Sequence, residues 1–293
     1  MQRIIDTHIH AWNFERATYP WLEGNTSILN RTYHIAEIES QRQQVSVVGG
    51  VLVQAANNLE DTDWMLEVAA STPWLKGVVG WLPLVDPVKT LQLLDSTYLR
   101  NPYFKGVRHL IHDETDPRWL LQAPVLESLQ ILAAHDLSFD VVGVLPAHIE
   151  TVLEVASEVP GLRMIFDHLN QPPILTNERF GEWGALMMLA AKQPNFFTKI
   201  SGLGTTTGKT NGWNAADIKP YVEFVVENFG EDRCLCGGDW PVSLLAGTYR
   251  KSWLNYIDVV TQIADVSDHD KIFYKNAEQF YKLADNKSNH GGN

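Results

Sequence analysis

Eight short apolar runs recur along this chain, with helical patterns in most of the gaps between them. The runs are Arg3–His8, Val47–Gln54, Gly77–Leu82, Phe104–Ile111, Ser138–Gly143, Arg163–His168, Phe196–Leu203 and Arg233–Gly238. Each is rich in Val, Ile and Leu and is bounded by Gly, Pro, Asp or Asn, which predicts strands. Near-continuous apolar runs are the mark of strands covered on both faces. Apolar residues fall at helical spacing in Leu59–Ala70, Arg118–Ala134, Ala147–Val159, Trp183–Ala191, Ala215–Phe229 and Ser252–Ala264. A last helix is expected from Ser267, as N-cap with Asp270 three residues on, through Leu283. Strands alternating with helices build a parallel sheet. Eight units exceed the five or six strands of a doubly wound sheet, so the expected fold is α/β, a single (β/α)8 TIM-type barrel.

The 293 residues suit one such barrel, expected over 1–284. The polar end 285–293 has no apolar face and is expected to be a flexible tail. Residues Ala11–Ile35 are long for one loop and carry Trp12, Phe14, Tyr19, Trp21 and Tyr33, which suggests a packed excursion over one barrel end, a candidate lid.

Charge narrows the partners. A net charge of -12 without a basic run disfavours nucleic acid and anionic membrane surfaces. No stretch approaches the length of a transmembrane helix, and Asp6 interrupts any signal-peptide core. The only cysteines, Cys234 and Cys236, are expected to be unpaired, buried and reduced, which fits a cytoplasmic protein. Homo-oligomers are compatible with all of this.

The chemistry gathers at strand ends. His8 and His10 close the first run and, one residue apart on a strand, project to the same side. His168 ends the sixth run and Asp239 follows the eighth. In a barrel the C-terminal rim carries the active site. Three imidazoles and one carboxylate there can bind one divalent ion. They can also work without metal, with Asp239 as base and the imidazoles as donors. Taken singly, each has an ordinary reading as a capping or core residue. Arg108 on a buried strand needs either a carboxylate partner inside the barrel or an anionic or hydroxylated ligand. His109, Gln54, Trp12 and Trp240 are candidate pocket walls that could equally be packing.

Other motifs fail. Gly208-Lys209-Thr210 lacks the glycine a phosphate loop needs five residues before its last one, because Leu203 stands there. There is no Gly-x-Ser-x-Gly elbow and no C-x-x-C pair.

Together, Ile5-Asp-Thr-His8-Ile-His10-Ala-Trp12, Tyr19-Pro-Trp21-Leu22, Gly106-Val-Arg108-His109, Phe166-Asp167-His168-Leu169, Lys199-Ile-Ser-Gly202-Leu203 and Gly238-Asp239-Trp240-Pro241 resemble the amidohydrolase superfamily over about residues 1–283. They are most similar to the amidohydrolase-2 branch that holds L-fuconolactonase, L-rhamnonolactonase and 2-pyrone-4,6-dicarboxylate lactonase. The resemblance implies that His8, His10, His168 and Asp239 are the site residues and that the protein is a lactonase. It implies either no cofactor or one divalent ion, zinc foremost, on those four residues. Many members carry a bridging Lys or Glu at a middle strand end. Here Lys105 begins its strand and the fifth run, Asp140-Val-Val-Gly143, has neither, so at most one metal ion is expected. Relatives also tend to carry an Arg-Pro-His-like stretch after the fifth strand, where this chain reads Val144-Leu145-Pro146-Ala147-His148.

The expected reaction is opening of a small cyclic ester, such as a sugar-acid lactone, by water. Asp239 takes the proton, the histidines steady the oxyanion directly or through a metal, and Arg108 binds the substrate. The alternatives are a metal-dependent decarboxylase or amide hydrolase of the same superfamily, or a barrel that binds a ligand without turnover.

Overall fold

The computed structural model describes residues 2–283, so the expected tail and residue 284 lie outside the described residues. Eight strands, β1 Ile4–Ile9, β2 Val47–Val53, β3 Leu75–Gly80, β4 Phe104–His109, β5 Ser138–Val141, β6 Arg163–Phe166, β7 Phe196–Ile200 and β8 Cys234–Cys236, pair in parallel in sequence order. A bridge between Ile9 and Trp240 brings the last strand's exit back to β1. The chain is a (β/α)8 barrel.

The helices, in chain order, are α1 Glu39–Gln44, α2 Leu59–Ser71, α3 Pro87–Ser96, α4 Ala123–Ala134, α5 Pro146–Glu158, α6 Gly181–Ala191, α7 Leu203–Thr206, α8 Ala215–Phe229, α9 Tyr249–Ile263, α10 Val266–Asp270 and α11 Asn276–Phe280. The apolar pattern failed to announce α3. It buries only Thr90 and Leu94 and leaves Val88 and Leu91 exposed, so it presents no clear apolar stripe. Its real signals are local: the Asp86 side chain accepts the Lys89 N–H, and Pro87 opens the first turn. The expected start of α4 at Arg118 is also corrected. Trp119–Leu121 is a 3-10 turn and Gln122 is extended, because Pro124 cannot donate the bond that would join them.

Ser267 is not a cap. The last helix opens at Val266 after Asp265 and ends at Phe280 rather than Leu283. Between α10 and α11 a π turn spans Lys271–Lys275 and buries the consecutive residues Ile272, Phe273 and Tyr274 together. This segment closes the barrel floor. Tyr274, Ala277, Phe280, Tyr281 and Leu283 pack against Ile5, Val51, Val53, Val79, Ile165 and Leu235 of the strands. Both cysteines are buried and unpaired, as expected.

The segment after β1 is packed rather than loose. Trp12 meets Trp21 and Tyr33 edge-on, Trp21 Nε1 donates to Ala55 O (2.7 Å), and Tyr19 donates to the buried Asp61 carboxylate (2.7 Å).

Candidate active site

Strand β1 delivers two histidines to the barrel interior through a break in its alternation. Ile5 faces the apolar floor cluster, yet His8, three residues on, also faces inward. That parity requires an extra residue, and the pairing of β1 with β2 shifts between Asp6 and Ile9. Asp6 holds the irregularity from the outside. Its carboxylate accepts the backbone N–H of His8 (3.0 Å) and Gly238 (2.8 Å), the Tyr249 hydroxyl (2.8 Å) and Trp253 Nε1 (3.3 Å). Burial pushes the Asp6 carboxyl up to about 6, against the pull of these donors.

The four residues singled out at strand ends converge. Asp239 Oδ1 lies 3.5 Å from His10 Nε2, 3.8 Å from His8 Nε2 and 3.9 Å from His168 Nε2. The hydrogen bond of His10 fixes which of its ring atoms donates. His10 Nδ1 must donate to Val53 O (2.7 Å), so its Nε2 presents a lone pair. Each nitrogen of His8 faces a donor-only cation, Nε2 toward Arg108 Nη1 (3.3 Å) and Nδ1 toward Lys199 Nζ (3.3 Å), and Nδ1 also lies 3.2 Å from Asp167 Oδ1. Burial holds the His8 imidazole well below its usual range, with Lys199 and His168 adding to the effect and Asp167 opposing it. Burial lowers His168 too, against Asp239 and Asp167. With Nδ1 committed to Val53 O, His10 turns Nε2 toward Asp239 as an acceptor, suited to a water or a cation.

Three acceptors, from His8, His10 and Asp239, lie within 4.8 Å of one another. Lone pairs so close need a cation or O–H donors between them, and two imidazoles with a carboxylate are a donor set for a divalent ion. Among the described residues this is the cluster with metal-ligand spacing, and His168, placed with it from sequence, falls outside it.

Beneath the cluster lies a charged layer that the sequence did not announce. Lys199 Nζ bridges Asp140 Oδ2 (2.6 Å) and Asp167 Oδ1 (2.8 Å), both fully buried. Arg108 Nη1 pairs with Asp167 Oδ2 (2.9 Å) while Nη2 donates to Gln54 O. Two acids and two bases balance within this layer. Of the two readings of Arg108, the ion pair inside the barrel is realised, although the side chain also reaches the cavity wall.

A cavity of about 220 Å³ opens over the cluster. His10, Arg108, His168 and Asp239 line its base, Trp21, Leu110, Val142 and Val242 form an apolar side, and His112, Gln171 and Thr205 add polar groups. The other sequence-derived wall residues stand elsewhere. His109 is turned outward, stacked on Trp119 (3.9 Å between centroids) and held by Glu114 (2.7 Å) and Trp81 (3.0 Å). Trp12 and Trp240 are buried against Tyr33, and Gln54 lies under Arg108.

Residues His168 to Gln171 all take left-handed backbone angles, φ 51–55°. For non-glycine residues this costs about 1–2 kcal/mol each, a strain characteristic of functional sites. Gly202, at φ 62°, makes room for the result. A Cβ there would meet His168 Nδ1 at 2.5 Å and Asp239 Oδ2 at 3.0 Å. Gly202→Ala should displace the imidazole and lower turnover on the order of 10²-fold, the cost of about 1 Å of misplacement. Steady-state kinetics beside a melting curve checks this, and unchanged turnover would show that His168 tolerates the shift.

Comparison with known proteins agrees with the fold. The chain is 32% identical over 283 residues to an L-fucono-1,5-lactonase from Burkholderia ambifaria, covering 95% of each chain. It is 25% identical to an L-rhamnono-gamma-lactonase from Scheffersomyces stipitis, covering 96% of this chain and 99% of that one. A crystal structure of a Burkholderia multivorans amidohydrolase with bound zinc superposes with a TM-score of 0.88 at 24% identity, covering 96% of this chain and all of that one. The amidohydrolase family Amidohydro_2 matches residues 5–283, and the chain belongs to that family.

Proposed function

We propose that the protein hydrolyses lactones, with Asp239 as general base and a sugar-acid lactone as substrate. The observation that carries this is the convergence of Asp239 with His8 and His10 at one cavity, whose wall includes His10 and Asp239. The lactonase names of the relatives support the same reading.

A water seated among these acceptors donates one proton toward Asp239 Oδ1. As Asp239 takes that proton, the water oxygen attacks the lactone carbonyl carbon. The Ser201 hydroxyl lies 2.9 Å from His168 Nδ1; donating there, it leaves Nε2–H to face the developing oxyanion. The tetrahedral intermediate collapses with cleavage of the acyl C–O bond, and the proton on Asp239 passes to the departing ring oxygen. The product is a hydroxy acid. Lactones are activated esters, so this apparatus is sufficient without the stronger polarisation an amide needs. Where a divalent ion is bound, we assign it to His8, His10 and Asp239, with zinc as its identity; it would supply Lewis-acid polarisation.

Arg108 takes the role of holding His8 and Asp167 in place. Its Nη atoms are committed within the barrel, which leaves no unpaired Lys or Arg among the described residues of the cavity wall for a substrate carboxylate.

The test is a hydrolysis panel of sugar lactones, pyrone carboxylates, aromatic acids and amides, each with and without chelator. The expected result is ring opening of neutral lactones. Turnover only of an aromatic acid or an amide, abolished by chelator, would replace this reading with a metal-dependent decarboxylase or amidase. No turnover at all would favour a ligand-binding barrel.

A further inference from the structure

We propose that Gln171 is the residue that selects hydroxylated substrates, by hydrogen-bonding an uncharged substituent of the lactone with its side-chain amide. This rests on the lactone reading above.

Gln171 stands where two cavities meet. It lines the one over the acceptor cluster and also a second of about 220 Å³, walled by Leu145, Pro146, Phe180 and Trp183. It closes the left-handed run His168–Gln171, so the backbone excursion that carries His168 to the reacting centre also delivers this side chain. One end of its carboxamide is pinned, because Thr206 Oγ1 donates to Oε1 (3.0 Å). Nε2 has no hydrogen-bond partner among the described residues. A long side chain on a strained backbone, held by one end at the seam of two cavities with its donor unspent, is organised for a ligand rather than for packing.

The surroundings decide the ligand's chemistry. The second cavity carries Glu178 and Glu182, and the first carries Asp239, so a carboxylate crossing the seam meets like charge. Arg108, the guanidinium in the first cavity, is already paired with Asp167. A neutral hydroxyl satisfies the amide without that repulsion. A lactone with its carbonyl over Asp239 would send its ring hydroxyls or exocyclic arm toward Gln171.

The experiment compares kcat/KM for a 1,5-sugar lactone and for unsubstituted δ-valerolactone in the parent, in Gln171→Met and in Thr206→Val. Met keeps the length of the side chain and removes its polar end. The ratio of the two constants should fall about 3- to 10-fold in Gln171→Met, the worth of one neutral hydrogen bond. The loss should be carried by KM of the sugar lactone, and Thr206→Val should move the ratio the same way by less. Because each ratio is taken on one protein sample, partial unfolding leaves it unmoved. Equal loss on both substrates, or an unchanged ratio, overturns the assignment while leaving the lactonase reading intact. A parent protein inert to every lactone overturns both.

Discussion

Asp239→Asn is expected to lower kcat/KM for lactone opening by about 10²–10⁴-fold, the usual contribution of a general base. The substitution isolates the chemistry. Asp239 sits at φ 53°, a region Asn adopts as readily as Asp, and its backbone N–H bond to His8 O (2.7 Å) is untouched. Shape and fold therefore survive while the proton acceptor is lost. KM should change far less than kcat, because the lost group acts in proton transfer rather than in ground-state binding. Steady-state kinetics on the two proteins, with metal content measured in both, separates this from loss of an ion. A variant within a few-fold of the parent would show that another group activates the water, with His168 the next one to replace.

Lys199→Met is expected to have the largest effect on stability. The ammonium is fully buried between Asp140 and Asp167. Removing one partner of a buried pair costs about 3–5 kcal/mol, since the remaining charge loses its compensation. At about 2–4 °C per kcal/mol for a chain of this size class, the melting temperature should drop by roughly 6–20 °C. The deficit should also depend on pH. Burial holds the Asp140 carboxyl above its usual range even with Lys199 present. A raised carboxyl binds protons more readily folded than unfolded, so its contribution to stability falls as pH rises through that window. Without the ammonium the carboxyl rises further, so the variant should lie furthest below the parent near neutral pH and closer to it in mild acid. Lys199→Met with Asp140→Asn restores the charge balance and should recover much of the loss. Melting curves of the three proteins across pH measure this. A double variant no better than the single one would show that packing, not charge, sets the cost.

The strands were legible because a parallel barrel buries both faces of each, which leaves continuous apolar runs that need no partner to be recognised. His8, His10, His168 and Asp239 were legible for the complementary reason. Polar residues that interrupt such runs at their C-terminal ends have few places to go but the mouth. His109 shows where that reasoning slipped. It neighbours Arg108 on β4, alternation allows only one of them to face inward, and Arg108 takes that place. The interior layer was illegible because Asp140 on β5, Asp167 just past the end of β6 and Lys199 on β7 are far apart in sequence, and only the folded barrel makes them partners. Gln171 was hidden more deeply. Nothing in its residue type announces a left-handed backbone, and its place in the cavity follows from that angle.

The helix capping errors have the same origin. Ser267 has the residue type of a cap and Asp86 does as well, but tertiary packing decided which was used. The π turn that seats Ile272, Phe273 and Tyr274 against the floor set where the last helix began and ended.

A crystal structure of Asp239→Asn with an unhydrolysed 1,5-sugar lactone tests the central claim most directly. The lactone is expected in the cavity over the acceptor cluster, with its carbonyl carbon about 3–3.5 Å from a water held by His10 Nε2 and residue 239. A lactone bound with its carbonyl turned away from that cluster, or lodged in the second cavity alone, would contradict it.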